Sequence, residues 1–436
     1  MSAVDPDAAV PPIGSDPFTP DEVRTGATAA FAFPNFTKFW VGALLSNSGT
    51  WVQNITVLFL VKQLTDSALW LGLAGTLQFG PIALMGPLGG ALADRFHRRS
   101  VLIATQAAQA AVALALWAAW VTEHRTIGVL IPFVMVGSLI TGINIPSWQA
   151  FVSELVPRHA LLNAVTLNSA QFNAARLVGP ALGGFVLASF GASWAFLINA
   201  LSYLAVIGAL LLIRVPRLPK SGSVTVAGML HGFRDSMRYS RHRPGIFACF
   251  IVVVALGGLG SPMTQLFPLF ASDVYHVDAV GLGWLGAAAG LGSVIAAPLI
   301  AGRGSLVPRG SLVQLAMIGY GVAVVAFGVS PLYAIGWGAL VVTGAGYLAI
   351  ASTLNTTIQI QVDEDMRGKV IALYVMLLTV ALPVGSFVEG LVAQLVGPQL
   401  AVATFGTLFL SVYVWLRLGT DYLPRLDDER AVVVTD

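Results

Sequence analysis

Gly90-Ala91-Leu92-Ala93-Asp94-Arg95-Phe96-His97-Arg98-Arg99 decides how this chain is read, because an apolar run ends there at an acid and three arginines follow within five residues. Long apolar segments lie on either side, and the same alternation of greasy run and short connection repeats along the chain. A knot of charge between two apolar runs marks a helical hairpin turning at a membrane surface.

Composition agrees. Of 436 residues, 56% are apolar and only 10% charged, and the mean hydropathy is +0.80. Soluble domains carry about 25% charged residues, so the chain is expected to be an all-α integral membrane protein. A span needs about 20 apolar residues, and twelve fit: 38–62, 69–93, 100–121, 126–150, 161–189 and 192–214, then 244–270, 281–302, 312–330, 333–361, 367–394 and 397–419. They form two pseudo-symmetric six-helix bundles, 37–214 and 244–419, joined by a polar linker at 215–243 whose Met229 to Tyr239 part has the pattern of a basic amphipathic helix. Residues 1–36 are acidic and proline-rich, with no basic start and no apolar core; a disordered tail is expected rather than a signal peptide, and 420–436 form a second tail.

An even number of spans puts both termini on one side. Of 23 Lys and Arg, Lys62 and Arg125 fall on the opposite side and Arg176 falls within a span; the other 20 share the side of the termini. The positive-inside rule makes that side cytoplasmic and the location the plasma membrane. Cys249, the only cysteine, sits among apolar residues and reads as an inert packed thiol. No phosphate-binding G-x-x-x-x-G-K-[ST], no metal-ligand spacing of the six histidines and no hydrolase-like Asp/Ser/His arrangement is present, so neither cofactor, metal, nucleic acid nor enzymatic activity is expected. Energy must come from a gradient or a partner.

The halves resemble each other. Gly179-Pro180-Ala181-Leu182-Gly183-Gly184 in span five lines up with Gly385-Ser386-Phe387-Val388-Glu389-Gly390 in span eleven. Internal duplication is a feature of transporters that rock two bundles about a midplane site. The loop equivalent to the opening stretch, Gly302-Arg303-Gly304-Ser305, has no acid.

Gly90-x-x-x-Asp94-Arg95-x-x-Arg98-Arg99 resembles the G-x-x-x-D-R-x-G-R-R loop of the major facilitator superfamily, with His97 where that pattern has its second glycine. Gln63-Leu64-Thr65-Asp66-Ser67, Pro146-Ser147-Trp148-Gln149-Ala150, Glu154-Leu155-Val156-Pro157-Arg158 and Phe172-Asn173-Ala174-Ala175-Arg176-Leu177-Val178-Gly179-Pro180 further resemble the branch with enterobactin exporters and macrolide efflux proteins. The resemblance implies the twelve-helix major facilitator fold, and the glycine-proline pattern of span five implies export.

Several residues carry the chemistry. Asp94, at the end of span two beside Arg95, Arg98 and Arg99, is either a conformational gate whose contacts form in one state only or part of a topology anchor. Gly179, Pro180, Gly183 and Gly184 strip span five of bulk and admit a close neighbour or a bend. Arg176, one turn earlier, must face a cavity or a partner, since an arginine in a span costs about 2.5–3.5 kcal/mol on insertion scales. Glu389 is the only acid well inside a span. It is the leading carrier for a coupling proton, because a low-dielectric site tolerates the uncharged acid; a pairing role at the interface is the alternative, with Asp94 and Glu154 as other carriers. Gln53, Asn54, Gln78, Asn144, Asn168, Gln171, Gln265, Asn355 and Gln359 are amides too polar for lipid exposure, some expected to line a cavity with Trp148, Phe172, Trp51, Phe267 and Tyr374. Leu306-Val307-Pro308-Arg309-Gly310-Ser311 matches a string engineered for thrombin cleavage; its loop is no longer than its counterpart, which favours coincidence.

The expected function is secondary export of small amphipathic compounds, drugs or siderophore-like metabolites, by a monomer in membrane lipid that exchanges them for protons. A lipid or lysophospholipid flippase of the same fold and a non-transporting membrane sensor or scaffold are the alternatives, and an uptake symporter remains open.

Overall fold

The structure, a computed structural model, describes residues 28–213, 226–303 and 307–428. Twelve long helical segments and a linker helix account for nearly all of them. They are α1 (Pro34–Thr65), α2 (Ala68–Arg95), α3 (Arg98–Val121), α4 (Ile127–Val152), α5 (Leu161–Phe190) and α6 (Ala192–Leu212), then the linker helix α7 (Val226–Arg241). The second half follows as α8 (Pro244–Val274), α9 (Ala279–Arg303), α10 (Arg309–Val329), α11 (Tyr333–Gln361), α12 (Glu364–Val396) and α13 (Pro398–Leu418). Most helices run a few residues past the predicted spans; α8, expected to end at 270, continues to Val274.

Ten of the twelve are long and apolar enough to cross a membrane. The exceptions, α1 and α5, are diluted by Asn47, Gln53 and Asn54 on one and Asn163, Asn168, Gln171, Asn173 and Arg176 on the other. These two helices pack on each other, and Asn47 Nδ2 donates to Gln171 Oε1 at 3.3 Å between them. That contact and bonds to neighbouring helices, Gln53 to Asn199 of α6 and Asn168 to Trp148 of α4, satisfy part of their polarity, as a bilayer demands.

Within the first half α1 packs on α5 and α6, α2 on α4, and α3 on α4 and α6; within the second, α9 and α10 pack on α11, and α10 on α13. The halves meet along two seams, α2 against α12 and α5 against α9. Helix α8 is irregular. Its Leu256–Gly260 and Phe270–Val274 turns are π-type and Pro262–Leu266 is 3-10; three glycines (Gly257, Gly258, Gly260) and two prolines (Pro262, Pro268) in this stretch remove packing bulk and backbone donors.

Only Phe96 and His97 join α2 to α3. His97 has φ −66° and ψ 123°, which any residue adopts, so this turn needs no glycine. The linker helix is pinned to the start of α12: Tyr239 Oη donates to Asp363 Oδ2 at 2.8 Å, Arg243 pairs with the same carboxylate at 3.1 Å, and the guanidinium lies 3.6 Å over the Tyr239 ring. Leu306 and the Gly304-Ser305 part of the duplicated loop lie outside the described residues, as do both tails' outer parts. Arg309 and Gly310 of the thrombin-like string are bound to the C-terminal segment, Arg309 through the carbonyls of Asp427 and Asp428 at 3.0 and 3.3 Å and Gly310 N through Asp427 Oδ1 at 3.0 Å.

Candidate functional site

The two seams are built from glycine. A Cβ on Gly72 of α2 would fall 2.8 Å from Gly390 Cα of α12, and one on Gly184 of α5 would fall 2.9 Å from Gly283 Cα of α9. Both crossings lie near the ends of the helices away from the termini, here called the distal side. More cross-half contacts gather there: Ser67 Oγ donates to Gln394 Oε1 at 2.8 Å, Thr76 Oγ1 to the Pro383 carbonyl at 2.9 Å, and Lys62 pairs with Asp273 at 3.0 Å while also holding Asp66. The halves are thus held together by a cluster of contacts on the distal side.

The opening stretch lies on the opposite side, that of the termini. Asp94, half-buried, makes no hydrogen bond or ion pair among the described residues, and Gly90 has open space around it. The arginines act within the first half. Arg98 pairs with Glu154 at 2.6 Å, and Arg99 donates to the carbonyls of Leu210 and Leu211 at the end of α6 at 2.6 and 3.0 Å. Arg95 is exposed, 5.8 Å from the Phe96 ring centroid. Burial pushes the Glu154 carboxyl up, and the Arg98 guanidinium opposes that.

In span five, Gly179 meets Trp51 and Ser48 of α1, Gly183 meets Val52 and Ile55 of α1, and Pro180 and Gly184 meet α9. Arg176 lies between these two faces on the helical wheel. It therefore reaches between α1 and α9 to the other half, where its guanidinium lies 5.4 Å from the centroid of the Tyr347 ring of α11. Phe172, on the same face one turn before it, is 49% exposed and meets Trp51 edge-on at 6.4 Å.

Glu389 is 1% exposed, and both of its carboxylate oxygens lack a hydrogen-bond partner. Its neighbours on α12 define its surroundings: Gly385 packs on Gly258 and Pro262 of α8, and Ser386 packs on Gly72 of α2. The residues flanking it on α12 thus border α8 and α2, and Tyr320 of α10 lies within electrostatic range of the carboxyl. Gln265 of α8 reaches the same stretch of α2, packing on Gly75, and its Oε1 is likewise without a partner.

The other amides divide into two groups. Several bind inside one half: Gln53 Oε1 accepts from Asn199 at 2.8 Å, Asn144 Nδ2 donates to Thr105 at 2.7 Å, and Trp148 Nε1 donates to Asn168 at 3.3 Å. Gln171 holds Asn47 but leaves its own Nε2 unused, and Gln359 bonds Asn355 a turn away near the end of α11. Asn54 and the Gln78 side chain are half-buried with no hydrogen bond among the described residues. Phe267 and Tyr374 are buried packing residues, and Cys249 is a buried thiol bonded to the Gly245 carbonyl at 3.3 Å.

Residues 25–431 match the family described as transmembrane secretion effector, within the major facilitator superfamily. The chain belongs to this family. Its members are transporters rather than enzymes, and the chain is a multi-pass membrane transport protein. It is similar to macrolide efflux protein A of Streptococcus pyogenes, 22% identical over 387 residues that cover 87% of this chain and 94% of that one. It is similar also to the enterobactin exporter EntS of Salmonella paratyphi A, 24% identical over 395 residues covering 88% and 92%. A POT family transporter solved with 5-aminolevulinic acid shares the fold with a TM-score of 0.72 at 10% identity, covering 91% of this chain and 97% of that one. A bacterial homologue of the lysosomal transporter Spinster, solved inward-facing and occupied, gives 0.69 at 13%, covering 93% and 99%.

Sequence reasoning did not find the Lys62–Asp273 bridge, the Gln394 contacts or Tyr347. Lys62 was visible as one of two cations on the distal side. Its partner was not, because Asp273 falls beyond the predicted end of its span.

Proposed function

We propose that this transporter exports small amphipathic compounds across the plasma membrane in exchange for protons, with both termini cytoplasmic. The observation that carries the reading is Glu389: a carboxyl 1% exposed, with no partner for either oxygen, at the distal seam between the halves. A carboxyl in that setting is tolerated with its proton on, and it must be hydrated or paired before the proton leaves. With the distal seam open the carboxyl meets outer water and takes up a proton, and closing the seam buries it protonated. Exchange is completed when the proton then leaves towards the cytoplasmic side before the seam reopens, which is the linkage an exchanger needs. Kinship with proteins named for macrolide efflux and enterobactin export supports the outward direction.

The contacts gathered at the distal face support reading this as the cytoplasm-open state. Asp94, unengaged here, is the contact that forms when the termini face closes, and Arg98 and Arg99 hold the loop to the bundle so that Asp94 moves with it. The substrate enters between the halves near Arg176, Phe172 and Trp51. The test is a panel of fluorescent amphipathic compounds in inside-out vesicles with an imposed pH gradient. Uptake driven by an acidic lumen and dissipating the gradient supports the reading; uptake indifferent to the gradient refutes proton exchange.

A further inference from the structure

We propose that the transported compound is an amphipathic organic anion whose charged group binds Arg176; this rests on the transport reading above. Arg176 is the only basic residue in the middle of a span, and among the described residues it has no ion pair and no hydrogen bond. Its guanidinium lies over the face of Tyr347 across the cleft, at 5.4 Å, with Tyr320 in electrostatic range. A ring face attracts a cation but leaves the guanidinium donors unused.

No carboxylate pairs with it. Glu389 and Arg176 both act on Tyr320, but both Glu389 oxygens are partnerless, so the two do not form an ion pair here. Every other described carboxylate sits at a helix end, in a loop or on the linker helix: Asp66, Asp94, Glu123, Glu154, Asp273 and Asp363 are examples. The cleft therefore carries a positive charge without an ion-pair partner at mid-membrane depth, where charge is least screened. The planar guanidinium fork fits a carboxylate, sulfonate or phosphate through two parallel hydrogen bonds.

The wall beside it is aromatic. Phe172 is 49% exposed one turn from Arg176 and braced by Trp51, so an apolar or aromatic body fits next to the charged group. A cationic compound would meet repulsion, and a neutral one would leave the arginine without a counter-ion. The anion can be a soluble organic acid or an anionic lysolipid; the shared chemistry is the acidic group on an apolar body.

The test is equilibrium binding to the full chain in phosphatidylcholine nanodiscs, with three probes of one skeleton: pyrenebutyrate, its neutral amide and the matching amine. The carboxylate should bind on the order of tenfold more tightly than the amide, as a charge-assisted pair implies, and the amine most weakly. Arg176→Gln should erase the difference and leave amide binding in place, whereas Arg176→Lys, which keeps the charge, should retain the order. Competition against bound pyrenebutyrate assigns the source: displacement by lysophosphatidate points to a lipid, displacement by 2-naphthoate to a soluble acid. Tightest binding of the amine, a carboxylate preference surviving in Arg176→Gln, or displacement by neither competitor overturns the proposal. Should Arg176→Gln not fold, the wild-type order and Arg176→Lys still decide. Binding needs no gradient, so failure of proton exchange in vesicles and failure of anion preference in nanodiscs are separate results.

Discussion

Arg98 and Glu154 show how one residue's burden is carried by another. The Glu154 carboxyl is half-buried beyond the end of α4, and burial pushes it above the usual carboxylate range while Arg98 at 2.6 Å opposes the shift. A carboxyl raised by folding favours the native state at low pH and loses that contribution as pH rises through its folded value. When ionised, Glu154 depends on its partner. Arg98→Ala should therefore destabilise the first bundle by about 1–3 kcal/mol where Glu154 is charged, and the loss should shrink on acidification as Glu154 takes up a proton. Thermal unfolding in detergent at falling pH checks it; a penalty that grows on acidification contradicts the assignment. Glu154→Gln, which removes the charge that needed pairing, should cost less than Arg98→Ala. Glu389 stood out at this scale as the one acid well inside a span, with proton carriage and pairing both open. That its oxygens lack partners was not legible, since it depends on what α2 and α8 bring to its side.

At the scale of helices, the glycine seams set how the halves meet. Gly72 and Gly184 each admit the backbone of a glycine in the other half, and the two crossings are related by the duplication, α2 with α12 and α5 with α9. Gly72→Val or Gly184→Val should wedge the closed distal face at a cost of about 1–3 kcal/mol, the range for overpacking. Spin labels at Glu123 and Val329, on distal ends of opposite halves, should then report a longer mean distance; an unchanged distribution would show that the seams do not hold this state. The span-five glycines stood out in the sequence, but Gly72 did not, because it lies in a helix with several equally plain glycines. The polarity of α1 and α5 had the opposite history. Their amides pointed towards a cavity, yet Gln53 and Asn168 make hydrogen bonds within the first half, so those bonds bind helix to helix.

For the whole molecule, the fold was readable because hydropathy, duplication and the Asp94 stretch agree, and the family match spans residues 25–431. Which ends of the halves hold each other was not readable, since both states bury the same helices and differ in a few end contacts. Those contacts make opposite predictions. Lys62→Ala removes a distal bridge and should raise labelling of a cysteine at Phe172 from the distal side, in a background where the buried Cys249 is replaced. Asp94→Asn removes a contact proposed for the other state and should lower it. Equal labelling in both variants would reduce Asp94 to a topology anchor.

The claim on which the account turns is that Glu389 carries the exchanged proton. Its most direct test compares wild type and Glu389→Gln in proteoliposomes, measuring pH-driven accumulation and gradient-free substrate exchange in the same preparation. The account predicts that Glu389→Gln loses accumulation and keeps exchange. Accumulation at the wild-type rate in Glu389→Gln would contradict it.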